Sequence, residues 1–151
     1  MISLRATSTH NYRRGYFPAT LALLLFVACS HASSSNEPNA AVYDAWREQH
    51  SYVEVTAQGS AARLLGIHTG PSGAHEGFLL HLRGANGHGL TVKVEDNIDI
   101  TGPIPLQEGD DVEVRGEYIY NPRGGIIHYT HHDPRGAHPP GYIRVHGRTY
   151  S

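Results

Sequence analysis

The side chains best suited to chemistry are concentrated near the C-terminus. Four histidines and one aspartate fall within eleven residues: His128, His131, His132, Asp133 and His138. Neutral imidazole is the commonest metal-ligating side chain, and a carboxylate completes many such sites, so the cluster predicts a divalent-metal site with zinc as the first choice. Its spacing differs from the established zinc motifs, because the sequence has no paired-cysteine set and no His-Glu-x-x-His segment.

Other interpretations of the same cluster remain open. In a metal-free alternative, His128 or His132 could act as a general acid and base oriented by Asp133, whereas a bound metal that activates water would suit phosphoester hydrolysis. Arg123 and Arg135 lie near the cluster in sequence and could hold an anionic group. A third interpretation is purely structural, with His128 buried and Asp133 accepting backbone amides in a rigid turn.

The segments that must position this cluster are predicted to be mainly β-strands. Alternating or continuous apolar patterns, separated by turns rich in Gly, Pro and Asp, predict five strands over residues 53–67, 78–82, 90–94, 112–119 and 126–130. One amphipathic helix is predicted over 39–50, capped by Asn36 or Asn39, with Trp46 as its anchor in the core. The last segment, rich in His, Pro and Gly, is predicted to be mostly irregular.

Five strands in one small domain predict a mainly β fold, a small five-stranded OB-like barrel with one N-terminal helix. Closure into a barrel lets a short chain bury its apolar faces, and Gly59 and Gly66 would let the long first strand bend. Residues 106–116 (Leu-Gln-Glu-Gly-Asp-Asp-Val-Glu-Val-Arg-Gly) resemble the turn and start of the penultimate strand of OB-fold proteins. An SH3-like barrel or a small sandwich is the alternative.

The N-terminus has the pattern of an export signal. Arg13 and Arg14 precede a short apolar run that ends at Cys29, the only cysteine, and the run is shorter than the ~20 residues that span a bilayer. Residues 25–29 (Leu-Phe-Val-Ala-Cys) resemble the bacterial lipobox, which implies lipidation of Cys29 and attachment to a membrane. The expected organisation is a lipoprotein signal peptide (1–28), a tether (29–38) and a single domain (39–151), located in the cell envelope and facing the periplasm or the outer membrane.

The charge balance bears on the class of partner. The chain has 12 basic and 14 acidic side chains, and losing Arg5, Arg13 and Arg14 with the signal would leave nine against 14, a net charge of −5. Because phosphate contacts dominate nucleic-acid affinity, this acidic surplus disfavours nucleic acid as a ligand. An anionic small molecule or an extracellular oligomer such as an oligosaccharide remains possible. For the oligomer, the candidate stacking platform is Tyr118, Tyr120, Tyr129 and Tyr142.

The histidine segment also carries a family resemblance. Residues 124–134 (Gly-Gly-Ile-Ile-His-Tyr-Thr-His-His-Asp-Pro), followed by His-Pro at 138–139 and Gly-Tyr-Ile at 141–143, resemble a bacterial family of small exported proteins that is known only as a domain of unknown function. His-Glu-Gly-Phe at 75–78, Asn-Ile-Asp at 97–99, Glu-Gly-Asp at 108–110 and Arg-Gly-Glu-Tyr at 115–118 match it too. The family has histidine and tryptophan where this chain has Asp96 and Tyr129. The resemblance spans about residues 53–150 and implies an exported β-barrel without an assigned activity.

Overall fold

The computed structural model describes residues 39–84 and 89–151. The predicted signal peptide and tether lie outside these residues. Two helices are present in the described residues, α1 (Ala40–Arg47) and α2 (Ile98–Thr101). Neither of them is long and apolar enough to cross a membrane.

Seven strands account for most of the described chain. They are β1 (Val53–Gly70), β2 (Gly73–Leu82), β3 (Leu90–Asn97), β4 (Asp111–Ile119), β5 (Ile126–His128), β6 (Tyr142–Val145) and β7 (Arg148–Tyr150). Their order in the sheet is β1-β2-β3-β5-β4-β6-β7, and β4 also pairs with β1. The first five strands therefore close into a ring, in which only the β3–β5 pairing is parallel. This ring is the predicted five-stranded OB-like barrel.

The alternation that predicted the strands also determines what fills the barrel. In β4, Val112, Val114, Gly116 and Tyr118 are buried while the residues that alternate with them are half-buried, and β3 follows the same pattern. Large side chains from the other strands complete the core, among them Phe78, Leu80, Leu82, Ile127 and Ile143. At Gly59 a Cβ would overlap the main-chain carbonyl of His81, so this glycine permits a close backbone approach in the barrel wall.

The N-terminal helix is shorter than predicted and packs through different residues. Val42 and Ala45 are buried, whereas Trp46 is 36 % exposed, so the prediction that Trp46 anchors the helix is wrong. Asn39 stands at the N-cap position, but its side chain does not cap the helix. Its amide group instead accepts a hydrogen bond from the Gln58 N–H (2.6 Å) and donates one to the Gln58 carbonyl (2.9 Å), which attaches the helix to β1.

The C-terminal segment is irregular over 129–141, as predicted, but then forms a hairpin that the sequence patterns did not predict. Strand β6 pairs with β4 beside the ring, and β7 pairs with β6. Four- and three-residue strands are too short for a clear alternation in sequence. Strand β5 also ends two residues earlier than predicted, because Tyr129 has a left-handed backbone (φ 53°) that no strand can continue through.

Candidate functional site, a histidine cleft

The cluster near the C-terminus lies on a loop that folds back against the barrel. We call residues 129–141 the histidine loop. Tyr129 turns the chain out of β5, and the buried Thr130 then fixes it, donating a hydrogen bond from its hydroxyl to the Asp96 carboxylate (2.7 Å). At the other end, the Gly141 N–H donates to the His131 carbonyl (3.0 Å), and a Cβ at Gly141 would overlap the Tyr129 carbonyl oxygen. The loop is therefore held closely at both ends.

Between the histidine loop, the β1–β2 turn and the end of β3 lies a cleft of about 800 Å³, which we call the histidine cleft. Five imidazoles line it: His68, His75, His128, His131 and His138. His68 and His75 are cross-strand partners on β1 and β2. Glu95 and Asn97 of β3 also line the cleft, while Asp96 between them is buried, so the cleft lies on the outer face of β2 and β3.

Aromatic rings from the loop and β5 pack in a ladder along one wall. The Tyr129 ring is stacked on His128 (centroids 4.1 Å apart) and on His138 (4.2 Å). Two rings cannot stack on the same face, so the imidazoles cover both faces of the tyrosine. The His131 ring meets His138 edge-on, with centroids 5.0 Å apart and an 81° angle between the planes.

Three of these imidazoles have one nitrogen fixed by the backbone. Nδ1 of His75 lies 3.0 Å from the carbonyl oxygen of Gly73. Nδ1 of His131 lies 2.9 Å from the carbonyl oxygen of His132, and Nδ1 of His138 lies 2.8 Å from that of Pro139. A carbonyl only accepts, so in the neutral ring Nδ1 must carry the proton. The lone pair is then on Nε2, the nitrogen that can bind a metal or take up a proton.

His128 is oriented by a different carboxylate from the one expected. Its Nε2 lies 3.0 Å from Oε1 of Glu117, its direct cross-strand partner on β4. Asp133, the predicted orienting group, instead accepts the amide N–H groups of Arg135 (2.8 Å), Ala137 and His138 (3.3 Å). These backbone hydrogen bonds hold the pKa of Asp133 below its usual range, and the one from Arg135 has the largest effect.

Beneath the cleft is a buried carboxylate. Asp96 has no exposed surface, and its two oxygens accept hydrogen bonds from the hydroxyls of Thr130 and Thr101. Burial raises the pKa of Asp96, and these two hydroxyls, with the nearby His131 and His75, lower it in part. In the described residues no lysine or arginine pairs with it.

The structure unites only part of the predicted set. His128, His131, Asp133, His138 and Arg135 line the histidine cleft. His132 is exposed and Arg123 lies on the turn before β5, and neither lines it. Within 39–84 and 89–151, no three histidine, aspartate or glutamate side chains are already grouped closely enough to hold a metal ion.

Sequence reasoning did not select four groups at this site. His68 and His75 lie on either side of a Gly-Pro-Ser-Gly run at 70–73, so hairpin pairing across that run would have placed them side by side. Asp96 follows Val92 and Val94 at two-residue spacing, which marks it as a buried position. The contact of Glu117 with His128 depends on the β4–β5 register, for which the sequence has no local signal.

The tyrosine platform predicted for an oligomeric ligand is not formed. Tyr118 is fully buried and donates its hydroxyl to the Gly124 carbonyl (3.0 Å). Tyr142 is half-buried and donates to Glu113 (2.7 Å), and Tyr120 packs against the core. Since both faces of Tyr129 are covered by imidazoles, these four rings offer no common surface for stacking.

Comparison with known sequences gives the family. The profile of the family described as "Protein of unknown function (DUF3465)" matches residues 23–151. The chain belongs to this family. The predicted resemblance to a family known only as a domain of unknown function is thereby confirmed. No curated protein matches the chain.

Among solved structures, this DUF3465 chain is similar to a small single-stranded DNA-binding protein from Streptomyces coelicolor. The sequences are 22 % identical, the TM-score is 0.43, and the match covers 50 % of this chain and 84 % of the other.

Proposed function

We propose that this DUF3465 protein is an exported, lipid-anchored domain that binds a divalent transition-metal ion, zinc first, in the histidine cleft. The observation that carries the proposal is the His131–His138 pair, whose rings meet at 5.0 Å and 81° with both Nδ1 atoms on main-chain carbonyls. The outer face of the second and third strands, where the cleft lies, is also where OB barrels bind their ligands.

The spacing of this pair suits a shared zinc ion. With Zn–N bonds of about 2 Å, each ring centroid lies roughly 3 Å from the metal, and tetrahedral geometry then separates two centroids by about 5 Å. The separation of His131 and His138 is 5.0 Å. Histidines that bind metals almost always place their other ring nitrogen on a carbonyl, a carboxylate or water, as both do here.

Asp96 supports a cation at this position. A buried carboxylate is costly unless a counter-charge or a proton neutralises it, and hydroxyl donors only partly offset that cost. The negative charge of Asp96 acts on both His131 and His75, so an ion bound between these imidazoles would lie close to it. His75, on which the charge of Asp96 also acts, is therefore the third ligand we propose, reached by a side-chain rotation that gives up its contact with the Gly73 carbonyl.

The metal proposal is tested by elemental analysis of the full chain, purified in mild detergent without a histidine tag or a chelator. We expect close to one zinc per chain in the parent protein and loss of zinc in His131→Gln and His138→Gln. His132→Gln is the matched control, because His132 is adjacent in sequence but lies outside the cleft. No zinc in the parent chain, or loss of zinc in the control alone, would refute the site.

The lipid anchor is tested separately. In cells given a radiolabelled or alkyne-tagged fatty acid, the parent chain should take up label and a Cys29→Ser chain should not. Equal labelling of the two chains, or labelling of neither, would contradict lipidation at Cys29.

A further inference from the structure

We propose that His128, positioned by Glu117, is the general base for hydrolysis of a small phosphoester in the histidine cleft. This inference rests on the proposed metal site and adds a reaction and a substrate class to it. It also assigns a role to Glu117, which lies on a strand outside the cluster seen in the sequence.

His128 and Glu117, which we call the dyad, have the geometry that general base catalysis needs. The cross-strand register of β4 and β5 sets Glu117 directly opposite His128, and the carboxylate lies 3.0 Å from Nε2. Both side chains keep part of their surface accessible, 32 % for His128 and 22 % for Glu117. Because Glu117 is a pure acceptor when ionised, it holds the proton on Nε2 and leaves Nδ1 free, and it stabilises the imidazolium that forms when Nδ1 takes a proton.

The Tyr129 ring separates this dyad from the proposed metal ligands. His128 and His138 stack on opposite faces of the ring at 4.1 and 4.2 Å, which places their centroids about 8 Å apart. At that distance the two imidazoles cannot bind one ion, since ligand nitrogens lie about 2 Å from zinc. They can act on the two ends of one small substrate in the same cleft, and His128 is left available for proton transfer.

Charge indicates the substrate class. Arg135 lines the cleft and has no ion-pair partner in the described parts of the chain, and the forked donors of a guanidinium match phosphate oxygens. The acidic surplus of the mature sequence disfavours a polyanion, so a small phosphoester fits better than a nucleic acid. A metal bound beside it would supply charge stabilisation to the phosphoryl oxygens.

The reaction is a hydrolysis and needs no oxidant or reductant. A water oxygen forms a bond to phosphorus while the bond between phosphorus and the ester oxygen breaks. His128 Nδ1 takes a proton from the attacking water and then releases it to solvent, while the leaving oxygen, in line on the opposite side of phosphorus, takes up a proton from solvent. Glu117 stays ionised throughout, and the products are an alcohol and a phosphate species.

The test uses the full chain, loaded with zinc, and two chromogenic probes, p-nitrophenyl phosphate and bis(p-nitrophenyl) phosphate. We expect metal-dependent turnover of at least one probe and a fall in kcat of roughly 10²–10⁴-fold in His128→Gln. In Glu117→Gln, kcat should fall with KM unchanged, and the pH profile of kcat should shift. Glu48→Gln is the matched control, since Glu48 faces His50 at 3.5 Å as an exposed pair, and its kinetics should equal those of the parent chain.

The outcomes separate the two proposals. Zinc bound without turnover of either probe, or turnover unchanged in His128→Gln, would overturn the catalytic inference and leave the metal site standing. Turnover that survives chelation but is lost in His128→Gln would support the catalytic role of His128 and refute a role for the metal in the reaction. A pH profile unchanged in Glu117→Gln, in a variant with the parent's circular dichroism spectrum, would refute the positioning role of Glu117.

Discussion

Thr130→Val tests whether the histidine loop is held by the buried carboxylate. Valine keeps the shape of threonine but removes the hydroxyl that donates to Asp96 at 2.7 Å, in a site where both residues are fully buried. A hydrogen bond to a charged group contributes about 1.5–3 kcal/mol, so we expect a loss of about 2 kcal/mol in the free energy of unfolding. At several degrees per kcal/mol for a domain of this size, Tm should fall by roughly 8 °C.

The loss should depend on pH in a defined direction. Burial raises the pKa of Asp96, so its contribution to stability is present below the usual carboxyl pKa and is lost as pH rises through the folded-state pKa. Thr130 is one of the groups that lower this pKa. Removing its hydroxyl penalises the ionised form, and the destabilisation should therefore be larger at pH 7 than at pH 4.

Urea denaturation of the parent, the variant, Asp96→Asn and the double variant measures the coupling. We expect Thr130→Val to cost at least about 1 kcal/mol less when Asp96 is already asparagine, because a neutral partner forms a weaker hydrogen bond. Thr56→Val, at an exposed position on β1, is the control and should stay within about 0.5 kcal/mol. A cost of Thr130→Val that is the same in both backgrounds would refute the reasoning.

Three further predictions follow from single contacts. Gly141→Ala should lower the free energy of unfolding, measured in urea, by about 3 kcal/mol or more, because a Cβ would overlap two main-chain carbonyl oxygens. Gly70→Ala is the control and should be close to neutral, because there is open space around Gly70. Burial raises the pKa of Tyr118 to about 12, so the free energy of unfolding should fall as pH rises from the usual tyrosine pKa near 10 towards 12. In Tyr118→Phe this alkaline loss of stability, followed spectroscopically as pH is raised, should be smaller. Asp96→Asn should make the metal-free chain more stable at pH 7 yet weaken zinc binding in calorimetry, and a variant that binds zinc more tightly would contradict the proposed role of Asp96.

The sequence predicted best those parts of the fold that depend on local alternation. Strand β4 begins within one residue of its prediction, because its apolar and polar residues alternate without interruption. Strand β6 was missed because its pairing with β4 is a contact between residues distant in sequence, and β7, which pairs only with β6, is too short to show an alternation of its own. The same reason explains Trp46, since helical spacing identifies an apolar stripe but not which of its members meets the barrel.

The candidate site divides in the same way. The run of histidines is visible in the sequence, but the position of each depends on tertiary contacts. Asp133 orders the turn through backbone amides, and Tyr129 reverses the chain with a left-handed backbone conformation. Together they bring His138 back beside His131, while the exposed His132 lies outside the cleft.

The parallel pairing of β3 with β5 has a consequence for motion. Only two residue pairs join these strands, Lys93 with Ile126 and Val94 with Ile127, whereas β1 and β4 are joined by eight. Local opening is favoured where the fewest hydrogen bonds must break, so we expect β3 and β5 to separate transiently. His128 directly follows these two residue pairs, and each separation would change its distance from His75 in the histidine cleft without unfolding the rest of the barrel. Faster amide hydrogen exchange at Ile126 and Ile127 than along β4 would be the signature of this local separation.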